Sequence, residues 1–516
     1  MDVGRGLRRL LLVLLLGLLA AGLPGVIPRP AVAAGSGLVL PLRIDLRTSL
    51  REQFGYKPDY ELNVPSFDPW NRPYIRSRTV SQHKTDHVHA LDGTGWSQLA
   101  LVEAVRRDYP TFAATVNAGG YVSETVEFDA LGRAYTLLEI RLASGSLKNV
   151  LLYSPDGCVT WRTVTLPIGG HVALYSGRDI GTMTMEHNAG WNLSDEPPLI
   201  ALWRPVARWP GLRASRNKLY VVRPTFEGDQ LVLPPPTLVT SRHLGMTQAA
   251  GGASFAATSG STSFIVWTEV APVRASGSPT YAAALDRRTG QLTTPVLVGR
   301  AHPPNDDHDT PGICLDGHGY LHVVIGAHSH PFRYVHSVRP LDASAWTAPK
   351  AVLSSGFRER GTDADGRGRQ TYVSLVCLPD DTLVLVFRQQ RAGVDRVFAG
   401  RSYGALCMQT RPSGGKWSPA RRLVFRRDRD GYAMYYQKLA VDRSGRLFLS
   451  FNCCDPRVYR SALRERHRYH RRMVLVSGDA GASWRFATLQ DYLAGIEPAG
   501  ASLIEQEPAT EARVED

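Results

Sequence analysis

Along this chain, short runs of alternating apolar and polar residues follow tight turns centred on Asp or Gly. FDPWNRPYI (67–75), FDALGRAYTLLEI (128–140), CLDGHGYLHVVIG (314–326), CLPDDTLVLVF (377–387) and VDRSGRLFLSF (441–451) share this form. ATSGSTSFIVW (257–267) and PLIALW (198–203) are looser copies. Period-two alternation around turn residues predicts a β-hairpin at each. A second hairpin pattern follows, as in KNVLLYSPDGCVTWRTVTL (148–166) and MVLVSGDAGASWRFATL (473–489). The unit is therefore four short strands in about 45 residues, repeated about seven times. One such sheet cannot bury both faces, whereas stacking sheets around an axis does so and leaves only short edges. The expected fold is all-β: a seven-bladed β-propeller of four-stranded blades over 63–490. The segment around Asn63–Tyr109 is expected to close the ring against the last blade. Helical periodicity is confined to a short stretch, Leu99–Arg107.

The two ends break the pattern. MDVGRGLRR is basic, Leu10–Gly22 is an unbroken apolar run, and Ala31-Val32-Ala33 reads as a small-residue cleavage site. Together they predict a secretory signal peptide over 1–33, too short for a spanning helix. An N-terminal segment over 34–62 follows. The absence of Cys after the cleavage site argues against a lipid anchor, and no second apolar run has spanning length. A secreted, extracellular protein without membrane insertion is expected. The tail, 491–516, is acidic and poor in apolar residues, and is expected to be disordered.

Charge and cysteines narrow the partners. The net charge is +13; the leader's four arginines against one aspartate account for +3 of it, leaving about +10 on the remainder. Outside the cell, such a surplus favours an anionic polysaccharide over nucleic acid, the plain alternative being that the charge serves solubility. A monomer is expected. Export permits disulfides among the six cysteines (Cys158, Cys314, Cys377, Cys407, Cys453, Cys454). Cys314 and Cys377 lie in apolar runs and read as buried thiols.

Five of the fifteen histidines fall within residues 305–334. His308 precedes the turn at Asp316–Gly319 by about as many residues as His328 follows it, so an antiparallel hairpin sets the two opposite each other. The next repeats place Tyr372 and Arg388, then Tyr435, Tyr436 and Asn452, at the same end. Three consecutive blades thus present His, His, Tyr, Arg, Tyr and Asn at one mouth of the channel. His318 and His322 belong to the far turn and strand and need no special role. Any one of these residues alone is more simply a structural polar group; their convergence on one pole is what points to function.

At these residues the chain resembles the BNR-4 repeat family, and within it the seven-bladed polysaccharide lyases that cleave ulvan. The resemblance is carried by N-D-D-H-D-T-P (305–311), G-x-H-x-x-P-x-x-Y (326–334), T-Y (371–372) and V-F-R (386–388). Two further turns resemble the Asp-box of BNR and sialidase repeats: Ser154-Pro-Asp156-Gly-Cys-Val-Thr160-Trp161 and Ser477-Gly-Asp479-Ala-Gly481-Ala-Ser483-Trp484. There the Asp caps the turn and the Trp packs between blades. The resemblance implies β-elimination at a uronate next to rhamnose, with His308, His328, Tyr372 and Arg388 at the catalytic positions. It places Tyr436 or Tyr435 as a substrate-contacting tyrosine, and Asn452 and His330 are grouped with them as substrate-binding.

The residue types suit that reaction on their own chemistry. Removing the C5 proton of a uronate requires its carboxylate to be neutralised, which a guanidinium does by a bidentate contact. A base takes the proton and an acid protonates the leaving O4; Tyr and His serve for both. Arg388 is read as the neutraliser, Tyr372 and His308 as the acid/base pair, and His328 as a second base or an orienting residue. The C5 configuration of the uronate decides which group removes the proton. The step needs no metal cofactor.

The insertion NCCDPRVYRSALRERHRYHRRM (452–473) departs from the family pattern. A solvated basic loop is the preferred reading. The alternative is a structural metal ion, zinc or calcium, held by Cys453, His467 and His470, with His83, His87 or His89 of the first blade nearby. Two rival functions stand beside the lyase. A sialidase-like glycoside hydrolase shares the Asp-boxes but requires an arginine triad, and the usual Arg-Ile-Pro signature is missing. A non-catalytic glycan-binding propeller does not require the His–His–Tyr–Arg set.

Overall fold

The computed structural model describes residues 38–40, 65–78, 86–92, 95–115, 125–168, 183–187, 193–208, 215–246, 253–272, 274–352, 369–392, 402–426, 434–454 and 470–494. They form seven antiparallel four-stranded sheets, the blades of a β-propeller, in chain order. Blade one is Ser66–Phe67, Pro73–Arg78, Asp86–Asp92 and Gly95–Ala100. Blade two is Glu127–Phe128, Ala134–Leu142, Leu147–Ser154 and Arg162–Thr165, with Phe112–Thr115 sharing its inner edge. Blade three is Met183–Met185, Ile200–Arg208, Ser215–Val222 and Thr237–His243; blade four is Ala256–Ser259, Thr262–Thr268, Ser278–Asp286 and Val296–Ala301. Blade five is Gly312–Leu315, Leu321–Ile325, Arg333–His336 and Lys350–Ala351. Blade six is Arg369–Cys377, Leu383–Ala392, Ser402–Arg411 and Arg421–Arg426; blade seven is Met434–Val441, Leu447–Cys454, His470–Ser477 and Arg485–Phe486.

The apolar faces meet between blades. One cluster joins blades one and two through Tyr74, Phe128 and Leu138, another blades two and three through Tyr135 and Ile200, and the largest runs from Val324 through Leu385 to Leu449 across blades five to seven. The ring closes as the sequence pattern predicts. Phe67 of blade one packs on Phe448 of blade seven, ring centroids 5.1 Å apart, and Arg443 donates to the carbonyls of Phe67 (2.6 Å) and Asp68 (3.1 Å).

The recurrent Asp is explained by the turns. Asp68, Asp129 and Asp442 each take two backbone N–H groups on Oδ1, and Oδ2 accepts the Nε of the arginine four residues on, at 2.6, 2.5 and 2.6 Å. Both Asp-boxes close in the expected way: Thr160 and Ser483 donate N–H and O–H groups to Asp156 and Asp479 at 2.6–2.8 Å. Trp161 is buried in the cluster between blades one and two, and Trp484 packs against the cluster of blades five to seven. Cys158, Cys314, Cys377 and Cys407 are buried free thiols.

Three features lie outside the sequence pattern. Leu38–Leu40, in the stretch expected to precede the propeller, pairs in parallel with Val424–Arg426 on the outer edge of blade six. The helix runs Leu101–Asp108 rather than from Leu99, because Leu99 still pairs with Val88 in blade one. The fold continues past residue 490 through a helical turn at 489–494, where Tyr492 is buried against Phe448 at 5.4 Å. The expected signal peptide (1–33) and the tail beyond 494 lie outside the described residues. No helix among the described residues is long and apolar enough to cross a membrane.

Candidate active site

The loop 302–311 and the strand His328–His330 bring the two mouth histidines together. The loop is pinned to blade four: the Asn305 N–H donates to Ser278 Oγ at 2.6 Å, Asn305 Oδ1 accepts from the Ala271 N–H at 2.7 Å, and Thr268 Oγ1 donates to the Asp309 carbonyl at 2.9 Å. It lies so close to the end of Leu321–Ile325 that a Cβ on Gly326 would sit 2.3 Å from the Thr310 carbonyl oxygen. That contact explains the glycine of the G-x-H motif. His328 does not continue the blade-five hairpin. Its strand leaves that blade and pairs antiparallel with the inner strand of blade six, His328 opposite Thr371. The His328 N–H donates to the His302 carbonyl at 2.8 Å, and the Ser329 N–H to Thr371 Oγ1 at 3.0 Å.

By this route the rings of His308 and His328 lie 4.2 Å apart. One carboxylate joins them: Asp306 Oδ1 is 2.5 Å from His308 Nδ1, and Oδ2 is 2.9 Å from His328 Nδ1. Asp307 Oδ1 lies a further 3.0 Å from His308 Nδ1. Burial works against a charge on His308, but the hydrogen bonds it donates to Asp306 and Asp307 outweigh it and raise the group to about 9. Burial likewise pushes Asp306 up, and the hydrogen bonds from both histidines outweigh it, holding the carboxyl well below its usual range. Within the same loop, Asp309 has no exposed surface, and burial, with the Asp306 charge adding, raises it well above its ordinary value.

Blades six and seven add two tyrosines at equivalent places. The register of each inner hairpin slips at the mouth end, between Thr371 and Ser374 in blade six and between Tyr435 and Lys438 in blade seven. Tyr372 and Tyr436 sit on these bulges with φ of 69° and 56°. Left-handed backbone costs a non-glycine residue about 1–2 kcal/mol, and bulges of this kind re-aim side chains beside functional sites. Gln437 locks the pair, its Nε2 donating to the Tyr372 carbonyl at 2.6 Å. The Tyr372 ring lies 5.3 Å from His308 and 5.7 Å from Tyr436. The Arg388 guanidinium carbon lies 4.4 Å from the Tyr372 ring centroid. Tyr372 and Arg388 are buried, forming a floor, whereas the side chains of His308 and His328 remain 23% and 26% exposed.

The residues singled out from sequence therefore separate. His308, His328, Tyr372, Arg388 and Tyr436 are brought together. His330 turns away, stacking on His302 at 6.0 Å with its Nδ1 on the His328 carbonyl. Tyr435 and Asn452 pair across blade seven in backbone register, and their side chains lie outside the described residues. The metal set is in the same position: His467 is outside, and Cys453 and His470 are placed by backbone alone, Cys453 opposite Arg471 and His470 opposite Cys454. His87 and His89 are buried on a blade-one strand, where burial lowers His89 to about 3. Asp306 is the residue that reading by type missed. Its signal was its place two residues before His308 in N-D-D-H.

At the far pole, Asp316, His318 and Asp381 also bring side-chain ligand atoms within 4.8 Å of one another. There Asp316 Oδ1 accepts the N–H groups of His318 and Tyr320, and Asp381 Oδ1 accepts that of Gly317. His322 Nε2 donates to Asp316 Oδ2 at 3.0 Å, taking the part that arginine plays in the other turns.

Among solved structures, the polysaccharide lyase Uly1 is 16% identical, over 46% of this chain and 54% of that one, with a TM-score of 0.32. An ulvan lyase bound to -[GlcA(1-4)Rha3S]- is 14% identical over 48% of this chain and 74% of that one, TM-score 0.26. The Trypanosoma rangeli sialidase in complex with sialic acid is 11% identical over 87% and 60%, TM-score 0.34. The chain spans about half the length of the first of these. No curated protein matches it. Residues 275–509, which carry all the mouth residues brought together here, match the model of the BNR repeat-containing family.

Proposed function

We propose that this protein is a secreted polysaccharide lyase that cleaves a uronate-containing polymer, of the ulvan-like rhamnose–uronate type, by β-elimination. The observation that supports it is the packing of His308, His328, Tyr372 and Arg388 into one mouth, with ring separations of 4.2 and 5.3 Å and a guanidinium 4.4 Å from the tyrosine ring centroid. In this reading a base at the mouth takes the C5 proton, and the C5–H electrons form the C4=C5 double bond. The C4–O4 bond breaks, and an acid at the mouth gives its proton to O4. The products are an unsaturated uronate and a free hydroxyl; no water is consumed. Arg388, buried under Tyr372, supplies positive field where charge builds, on the phenol oxygen as it ionises and on the uronate carboxylate. The motif resemblance supports a polymer in which the uronate adjoins rhamnose.

The test is absorbance of the unsaturated uronate when purified protein meets a panel of uronate polysaccharides. Appearance of the chromophore is expected with a rhamnose–uronate polymer. Reducing ends without the chromophore would indicate a hydrolase instead. Binding without either product would make the propeller a glycan-binding module.

A further inference from the structure

Asp306 is 9% exposed, lies between two imidazoles and takes both by the same atom type. A carboxylate only accepts, so each Nδ1 carries the hydrogen and each Nε2 is left as the atom available for proton transfer. Two imidazolium rings 4.2 Å apart would repel, and one shared carboxylate neutralises one of them. The surroundings are unequal. His308 has two carboxylates at Nδ1, Asp306 at 2.5 Å and Asp307 at 3.0 Å, whereas His328 has Asp306 alone at 2.9 Å. From the other elements, Tyr372 and the Arg388 cation approach from blade six, and Tyr436 packs on Tyr372 from blade seven. The His302 carbonyl accepts the His328 N–H, His330 stacks on His302, and Asp309 is buried within the same loop as Asp306.

We propose that Asp306 is the positioning residue of this site: it fixes both imidazole tautomers and allows the pair a single positive charge, held on His308, which is thereby the proton donor to the leaving oxygen. His328 is then left neutral, with a free Nε2 lone pair suited to accept a proton. The raised affinity of His308 for its proton, to about 9, agrees with this division. The assignment of donor rests on the lyase reading; the division of charge does not.

The experiment is an NMR titration of 15N-histidine-labelled protein without substrate, in the wild type, Asp306→Asn and Asp306→Glu. The wild type is expected to keep one imidazolium of the pair to about pH 9, both rings having hydrogen on Nδ1. In Asp306→Asn that imidazolium is expected to be lost more than one pH unit lower, and Asp306→Glu restores part of the difference. If elimination is found, its alkaline limb shifts down in step in Asp306→Asn, with kcat reduced roughly a hundredfold and KM nearly constant. An imidazolium unchanged in Asp306→Asn sinks the role given to Asp306, whether or not elimination occurs. So does a tightly retained, stoichiometric divalent metal that is lost in that variant, since the three groups lie close enough to ligate one. The expected titration with no elimination from any uronate polymer sinks the lyase reading and leaves the division of charge standing. A thermal melt of each variant identifies any that fails to fold, and Asp306→Glu then carries the comparison.

Discussion

The two poles of blade five use the same residue type for opposite ends. At the far pole His322 is buried between Asp316 Oδ2 at 3.0 Å and the Tyr334 hydroxyl at 2.7 Å, and burial lowers its affinity for a proton in spite of the carboxylate. At the mouth His308 meets carboxylates at comparable distances, and its affinity is raised. The His322 side chain is 6% exposed and that of His308 23%, but burial works against a charge on both and alone does not reverse the direction. The charged neighbours do: two carboxylates at His308, against one at His322, which also faces Arg411 and His336. At these two poles an imidazole carries charge where a second carboxylate reaches it, and stays a neutral cross-brace where one carboxylate is set against burial and cationic neighbours.

The comparison breaks most visibly at the floor of the mouth. Tyr372→Phe keeps the ring on its bulge and removes the hydroxyl, and Arg388→Lys keeps a charge but loses the planar guanidinium. Each is expected to lower kcat for elimination on the order of a hundredfold or more, with the tyrosine change at least as damaging. Steady-state kinetics on the most active polymer, with binding measured separately, checks both. Near-normal turnover in Tyr372→Phe would remove the tyrosine from the proton-transfer set.

The charge on the mouth pair also has a signature in stability. His308 is raised above its ordinary 6.5, so its contribution is full below about pH 6.5 and is lost as pH rises through about 9. Asp306 is depressed, so its contribution is present above its ordinary 3.8 and is lost as pH falls through its lowered folded value. The margin of the wild type over Asp306→Asn is therefore expected to be widest between about pH 4 and 6.5 and to shrink toward pH 9. Denaturant melts across that range measure it. A margin that grows with pH above 6.5 would mean that the stabilising proton on His308 is absent.

The blades could be read from sequence because alternation and turn chemistry are local. Asp68, Asp129 and Asp442 each cap the turn they stand in, and the motif announces itself within five residues. The pole of His308, His328, Tyr372 and Arg388 could be read by counting from those turns. What could not be read depends on partners distant in the chain. His328 was expected opposite His308 across one hairpin, yet it reaches that place on a strand paired to blade six. Nothing within residues 326–334 encodes that partner. Tyr372 and Tyr436 hold left-handed backbone without a glycine to mark it. Asp306 acquires its role only when two segments 22 residues apart meet. Leu38–Leu40 finds its neighbour in blade six, nearly four hundred residues on.

A smaller effect is expected from His322→Ala. It strips Asp316 Oδ2 and the Tyr334 hydroxyl of a buried partner, a loss of about 1–3 kcal/mol. Turnover should be unchanged, because the residue stands at the far pole. Chemical denaturation and kcat on one preparation separate the two quantities. A fall in kcat without a fall in stability would place His322 in the chemistry and undo its reading as a substitute for arginine.

The smallest effect belongs to His318. Its side chain is 70% exposed and its Nδ1 lies 2.6 Å from Asp381 Oδ2. An exposed pair of this kind contributes about 0–1 kcal/mol, because solvent screens it and an ordered side chain loses entropy. Asp381 keeps its second anchor when His318 is removed, since Oδ1 still accepts the Gly317 N–H at 2.6 Å. His318→Ala is therefore expected to stay within about 0.5 kcal/mol of the wild type in stability and to leave kcat and KM where they were. The variant is the strictest test of polarity that the hairpin offers, because it deletes an imidazole from the same thirty residues as His308 and His328. A tenfold or greater loss of elimination in His318→Ala, with Tyr372→Phe near normal, would move the reacting groups to the opposite pole.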